Sequence, residues 1–360
     1  MKVVKYALIF MSAINVNNVF AQEEIDEIIV TSSYIEQQLN TIHNPIHFLD
    51  GEDIANMATQ SLGETLDNLL GVSSADYGAG VGQPIIRGMS GNRVKIMSNG
   101  RVNRDVAGLG ADHVNDIDLN NIQQIEVVRG PSSIFYANGT SGGIINVVDN
   151  TIARSDFLES ELRIGAEAQT VNSGNSGEFS YQNNLAGLNF SLAYKDSGFE
   201  KYEIPFGAII HEEEEEEEEH HEEEENPKYL ANSDYESKSQ RFGVSKTGDW
   251  GYFGASVRGI ESLYGIPFHG EEHEEEEEGE EHEEERIYVT TDSTVVNLEG
   301  SYVFDDSVLR KIDYYYAGTD YSLIEQHAEE AGHEEEEEEE HHEEGPTTFK
   351  NDAKEYGMVV

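Results

Sequence analysis

The sequence predicts two units: a mixed α/β domain over residues 40–152, then strands of a transmembrane antiparallel β-barrel over residues 153–360. Three observations carry this. The second part alternates apolar and polar residues with period two through tyrosine-rich stretches of about ten residues. Its connections alternate strictly between short and long. The N-terminus reads as an export signal, and no later apolar run approaches the ~18 residues a membrane helix needs.

The export signal comes first. Met1-Lys2-Val3-Val4-Lys5 is a basic start, Tyr6 to Ile14 is mostly apolar, and Val19-Phe20-Ala21 ends the stretch, so cleavage is expected after Ala21. The mature chain is then exported without a helical anchor. That leaves a soluble periplasmic or secreted protein, or an outer-membrane barrel. The absence of cysteine removes disulfides and thiolate metal or redox sites.

Within residues 40–152, Ser61 to Leu70 carries apolar residues at 62, 66, 69 and 70, a helical spacing, and Gly71 supplies the stop. Short β-rich pieces follow at 84–88, 94–97, 125–129 and 143–148, separated by turns such as Asn99-Gly100 and Gly142-Gly143. There is no nucleophile elbow, phosphate loop or HExxH motif, so an enzyme reading has no foothold.

In the second part Leu188, Phe190, Leu192 and Tyr194 alternate with Asn189, Ser191, Ala193 and Lys195. The pattern recurs at Leu162–Ala168, Val296–Phe304 and Ile312–Tyr316. A soluble sandwich alternates in the same way, and the connections separate the two. Eight strands are expected at 160–169, 176–184, 187–196, 237–246, 250–261, 293–304, 308–321 and 348–358. The links after strands three, five and seven are long (196–236, 262–292 and 322–347), and the others are tight. Short turns on the periplasmic side and long loops outside are the rule for outer-membrane barrels, which places the three long loops outside the cell.

Pro84-Ile-Ile-Arg-Gly88, Ile125-Glu-Val-Val-Arg-Gly-Pro-Ser-Ser133 and Gly142-Gly-Ile-Ile-Asn-Val147 stand in the order found in TonB-dependent outer-membrane receptors, and residues 22–150 resemble the N-terminal part of that family. The resemblance implies an α/β plug domain inside a transmembrane antiparallel β-barrel, of which only about the first eight strands fit here. Family barrels have more strands, so the chain is expected to be the N-terminal part of a longer receptor. Ser98-Asn99-Gly100 departs from the acidic residue the family usually places before that glycine. Residues 22–39 form the expected TonB-box segment. In it Asp26, Glu27, Ile28, Ile29, Val30, Thr31 and Ser32 resemble the stretch that pairs with TonB, and an extended strand with free backbone groups suits such β-augmentation. TonB with its inner-membrane energising complex and outer-membrane lipid are the implied partners.

The charge is concentrated. Of 73 acidic residues, 35 are glutamates in the stretches 211–225, 269–285 and 327–344, and without them the formal charge of -51 would be -16. Excess acidity argues against a nucleic-acid partner. The same stretches hold ten of the 13 histidines: His211, His220, His221, His269, His273, His282, His327, His333, His341 and His342. Plain acidity does not explain that enrichment. Polyglutamate alone is a solvated, self-repelling run, whereas imidazole with carboxylate suits Zn²⁺, Cu²⁺ or Ni²⁺. Adjacent histidines in such a run do not fix a tetrahedron. The expected action is capture by density, with many weak sites and a negative potential concentrating cations. Protons compete for those sites, so capture weakens in acid.

A tighter site is expected at Asp112-His113, in the stretch 108–115 between strands of the first domain. An Asp-His pair at the plug apex and His/Glu-rich outer loops resemble the zinc receptors of the family. By that resemblance Asp112 and His113 are metal ligands, completed by barrel residues. The leading function is energised import of a divalent metal, foremost zinc, with the ion as cargo and no cofactor. An iron-siderophore or haem receptor ranks lower, because 35 glutamates repel anionic ligands. A Ca²⁺-binding surface adhesion protein is the third reading, and it has no use for a TonB-box-like segment.

Overall fold

The computed structural model describes residues 29–30, 37–38, 46–57, 60–130, 133, 137, 139–208, 228–267, 286–304, 309–328 and 345–360. Two short strands, β1 (Ile29–Val30) and β2 (Gln37–Gln38), pair antiparallel. The α/β domain comprises β3 (Ile46–Asp50), α1 (Gly51–Met57), α2 (Leu62–Leu66), β4 (Val72–Tyr77), β5 (Val81–Ile86), β6 (Val94–Ser98), β7 (Arg101–Val102), β8 (Ile122–Arg129) and β9 (Gly143–Asp149). A mixed sheet runs in the order β3-β8-β9-β6-β7, with β6 and β9 parallel, and β4 pairs with β5 separately. Helix α2 is shorter than the apolar spacing predicts. Ser61 caps it, its Oγ accepting the Glu64 amide at 3.1 Å. Beyond Leu66, Asp67 and Asn68 favour turns over helix, and Gly71 closes the segment at φ +76°. Leu62, Leu66, Ile86, Ile125, Val127 and Ile145 form the core between helices and sheet.

The second part is one eight-stranded antiparallel meander: β10 (Glu161–Ala168), β11 (Asn175–Leu185), β12 (Leu188–Phe199), β13 (Tyr235–Gly248), β14 (Gly251–Gly265), β15 (Arg286–Val303), β16 (Lys311–Ala328) and β17 (Thr347–Val359). The turn between β11 and β12 is Ala186-Gly187, both left-handed at φ 55° and 78°, as a two-residue hairpin requires. One face carries Leu162, Ile164, Phe179, Tyr181, Leu192, Phe242 and Val257, all exposed as a lipid-facing band would be. The other face is buried and hydroxyl-rich, with Ser176, Ser180, Ser191, Ser239, Ser245 and Ser293 turned toward the α/β domain.

The strands run further than the alternation predicts. β14 ends at Gly265, β15 starts at Arg286 and β16 reaches Ala328, so the connections are 200–234, 266–285 and 329–346, inside the expected 196–236, 262–292 and 322–347. The cause is physical. Above the apolar band the outward positions become polar, as at Asp292, paired with Glu261 and Ser322, while the backbone ladder continues. Hydrophobic periodicity marks the extent of lipid contact, not the extent of pairing.

The α/β domain packs directly on the buried face. Gly243 and Gly254 leave room for the chain leaving β9: a Cβ at Gly243 would overlap the Thr151 carbonyl, and one at Gly254 would overlap Ile152. No helix among the described residues is long and apolar enough to cross a membrane.

Candidate metal centre

The long excursion 103–121, between β7 and β8, carries the predicted pair. Its base is tied within the domain. The Asn103 amide donates to the Asp116 carbonyl at 2.7 Å, and Asp105 Oδ2 accepts the Asp116 N–H at 2.9 Å. Asn115 Nδ2 donates to the Gly82 carbonyl at 3.2 Å, and Gln83 Nε2 to the His113 carbonyl at 2.7 Å. Its flanks are tied to the barrel wall. Asp116 Oδ2 meets Arg258 Nη2 at 2.5 Å and accepts the Ser293 hydroxyl at 2.8 Å. Arg241 reaches Asp149 at 3.1 Å and Asp118 at 3.8 Å, and also donates to the Asn120 carbonyl. Asn120 Nδ2 in turn donates to the Tyr194 carbonyl.

These ties present Asp112 and His113 near the ends of β14, β15 and β16 from which the long connections leave. His113 is 6% exposed and its Nδ1 has no hydrogen-bond partner. Its ring lies 6.3 Å from Phe349 at 59°. Asp112 Oδ1 and His113 Cδ2 both crowd Gly110, where only a missing Cβ leaves space. Below them Val81, Val114, Tyr264, Val289, Tyr321 and Leu323 form an apolar floor. The Tyr264 hydroxyl accepts the Val114 N–H at 3.3 Å and feels the charges of both Asp112 and Glu325. A buried imidazole nitrogen without a partner costs free energy unless something outside the chain satisfies it.

Among the described residues no three His, Asp or Glu side chains are grouped closely enough to hold a metal. The pair is thus adjacent, with the remaining ligands unassigned. His327 is the last-but-one residue of β16, its backbone paired with Ile287. The other predicted ligands, His211, His220, His221, His269, His273, His282, His333, His341 and His342, lie outside the described residues. So do Asp26, Glu27, Ile28, Thr31 and Ser32, while Ile29 and Val30 form β1.

Two carboxyls in the ties are shifted. Burial, reinforced by the neighbouring Asp116, pushes Asp105 up to about 6 despite amide hydrogen bonds from Asp116 and Ala107 and the nearby Arg258. Burial also acts to raise Asp149, but Arg241 and hydrogen bonds from Thr151 and Asn99 hold it below the usual carboxylate range.

Sequence reasoning did not single out Glu325, Asp116, Arg241 or Arg258. A signal for the arginines was present. Both occupy the strand parity shared with serines, and a full guanidinium at that parity must face the domain.

The fold and the loop ties define a class. Residues 38–144 match the family described as TonB-dependent Receptor Plug Domain. With eight antiparallel strands behind it, the chain joins that plug domain to a barrel wall of the TonB-dependent receptor type, an architecture of the outer membrane.

Particular relatives follow. The chain is similar to the Vitamin B12 transporter BtuB of Photobacterium profundum, at 30% identity over 135 residues, covering 37% of this chain and 22% of that protein. Among solved structures it resembles the Copper transporter OprC, with a TM-score of 0.58 at 14% identity, over 78% of this chain and 38% of that one. It also resembles the FrpB iron transporter from Neisseria meningitidis (F3-3 variant), with a TM-score of 0.55 at 12% identity, over 78% and 41%. The chain therefore spans well under half the length of each.

Proposed function

We propose that the chain acts in TonB-dependent import of a divalent metal ion, zinc foremost, across the outer membrane. The named cargoes of its relatives differ (vitamin B12, copper and iron), so the cargo is read from this chain's own residues. The observation that carries the reading is the buried His113 imidazole, unpartnered at Nδ1 beside Asp112. Neutral imidazole with carboxylate is a zinc-type donor set.

In this reading the tracts 211–225, 269–285 and 327–344 raise the cation concentration outside the barrel. The ion then exchanges its weak ligands there for Asp112 and His113. TonB, pairing with residues 26–32, draws on inner-membrane energy to shift the plug. No covalent step is involved. Copper and nickel share the donor preference and are the nearest competing cargoes.

The test combines two substitutions and a deletion in the complete receptor. Asp112→Ala with His113→Ala abolishes high-affinity zinc binding to cells. Deleting 26–32 leaves that binding intact and abolishes uptake. Full uptake of a ferric siderophore with no zinc binding would favour the siderophore reading instead.

A further inference from the structure

A small cavity of about 50 Å³ lies beneath the Asp112–His113 pair, between residues 114–119 of the plug and the inner faces of β12 to β16. Four side-chain oxygens on its lining have no hydrogen-bond partner: Asn115 Oδ1, Asp118 Oδ2, Ser239 Oγ and Tyr321 Oη. The Val106 amide approaches Tyr321 Oη without closing a hydrogen bond. Asp118, Ser239 and Tyr321 are 7%, 6% and 1% exposed. Buried oxygens that accept no hydrogen bond are rare, and of these four only Asp118 Oδ2 has an ion-pair partner, Arg241 at 3.8 Å. Four such oxygens line one cavity and would serve a polar occupant.

The charge around the cavity narrows the choice. Asp116 and Asp118 line it, and half-exposed Lys195 is its one cationic lining residue among those described. Arg258 and Arg241 pair with those carboxylates, and Asp105 accepts the Asp116 N–H. An all-oxygen donor set in a space with room for a few waters suits a cation that keeps part of its hydration shell.

Asp116 also lines a second, larger cavity of about 690 Å³ toward the short-turn end, which Arg258, Arg241, Asp149 and Glu299 line as well. The Asp116–Arg258 pair therefore stands between the two spaces. Arg258 is six residues from Tyr264 along β14, roughly 20 Å of strand.

We infer that the four-oxygen cavity is a relay station for a partly hydrated divalent cation between the Asp112–His113 pair and the lower cavity, with the Asp116–Arg258 ion pair as its closed exit. This rests on the import reading above. The ion binds Asn115, Asp118, Ser239 and Tyr321 oxygens and water, and passes on when movement of the plug parts Asp116 from Arg258.

The test uses the complete receptor carrying Ser239→Ala with Tyr321→Phe. Neither hydroxyl closes a hydrogen bond within the protein, so a purely structural role leaves transport unchanged. The relay predicts unchanged zinc binding to de-energised cells and zinc uptake lower by about tenfold, the low end of the loss when a metal site's support is removed. Unchanged uptake, or binding and uptake falling together, overturns it. A second arm soaks crystals of the receptor with Cd²⁺. An anomalous peak among the four oxygens supports the relay, and water alone there overturns it. Failure of the import reading shows differently, as no zinc uptake by the unsubstituted receptor, and the relay falls with it.

Discussion

Replacing Arg241 by Met should loosen the plug from the barrel wall, and the structure sets the size of the effect. Arg241 is 5% exposed on β13 and meets Asp149, Asp118 and the Asn120 carbonyl, all on the plug. Methionine fills most of the volume but leaves two buried carboxylates facing an apolar side chain. Breaking a buried pair from one side costs about 3–5 kcal/mol, or roughly two to three and a half powers of ten in a local opening equilibrium. Amide hydrogen exchange in the intact receptor reads this directly, at β9 and residues 116–120. A second readout is a cysteine introduced at the interface, its labelling compared with that of the same receptor without it. Adding Asp118→Asn should recover part of the loss, since Asp118 Oδ2 accepts no hydrogen bond and has Arg241 as its ion-pair partner. The pH dependence has a defined sign. Asp149 is held below its usual value, so its contribution is present above the usual carboxylate range and is lost as pH falls through the native value. The gap between the two proteins should hold from about pH 7 to about pH 5 and narrow in stronger acid. Unchanged exchange in Arg241→Met at neutral pH would refute the reasoning.

Other predictions bear on separate links. Asp105→Asn should stabilise the 103–121 excursion at neutral pH by at most about 3 kcal/mol, because burial raises Asp105 to about 6 and its ionisation works against the native state above that value. Below about pH 4 the advantage should vanish; slower exchange of the Asp116 amide at neutral pH but not in acid is the check. Gly243→Val should prevent the chain after β9 from seating, since the Thr151 carbonyl fills the space, and should raise protease sensitivity near residue 151 without changing strand content by circular dichroism. Deleting the three acidic tracts should lower zinc uptake at scarce metal and leave it unchanged at abundant metal. An equal loss at both would contradict capture by density.

Much of the wall is legible in the sequence because lipid imposes a strict rule. Alternating residues such as Leu188 to Tyr194 report which face meets hydrocarbon, and the connection lengths report direction. The same rule falls silent where lipid ends. That is why β15 begins at Arg286, not near 293, and why β16 continues to Ala328. In the plug, motifs place β5, β6, β8 and β9, while β3, β4 and α1 are short and lack a strong period. Resemblance singles out Asp112–His113, and geometry adds the unpartnered Nδ1. The plug–barrel ties are not legible as pairs. Asp116 and Arg258 are 142 residues apart, and a single sequence holds no record of which distant charge meets which.

Everything proposed for this chain depends on a divalent cation passing inward beside the plug. Labelled-metal uptake by cells expressing the complete receptor tests it most directly, with zinc, nickel, copper and a ferric siderophore compared at limiting concentration. The expected result is zinc entry that requires residues 26–32 and is lost with Asp112→Ala and His113→Ala. Entry of the ferric siderophore alone, with zinc excluded, would contradict it.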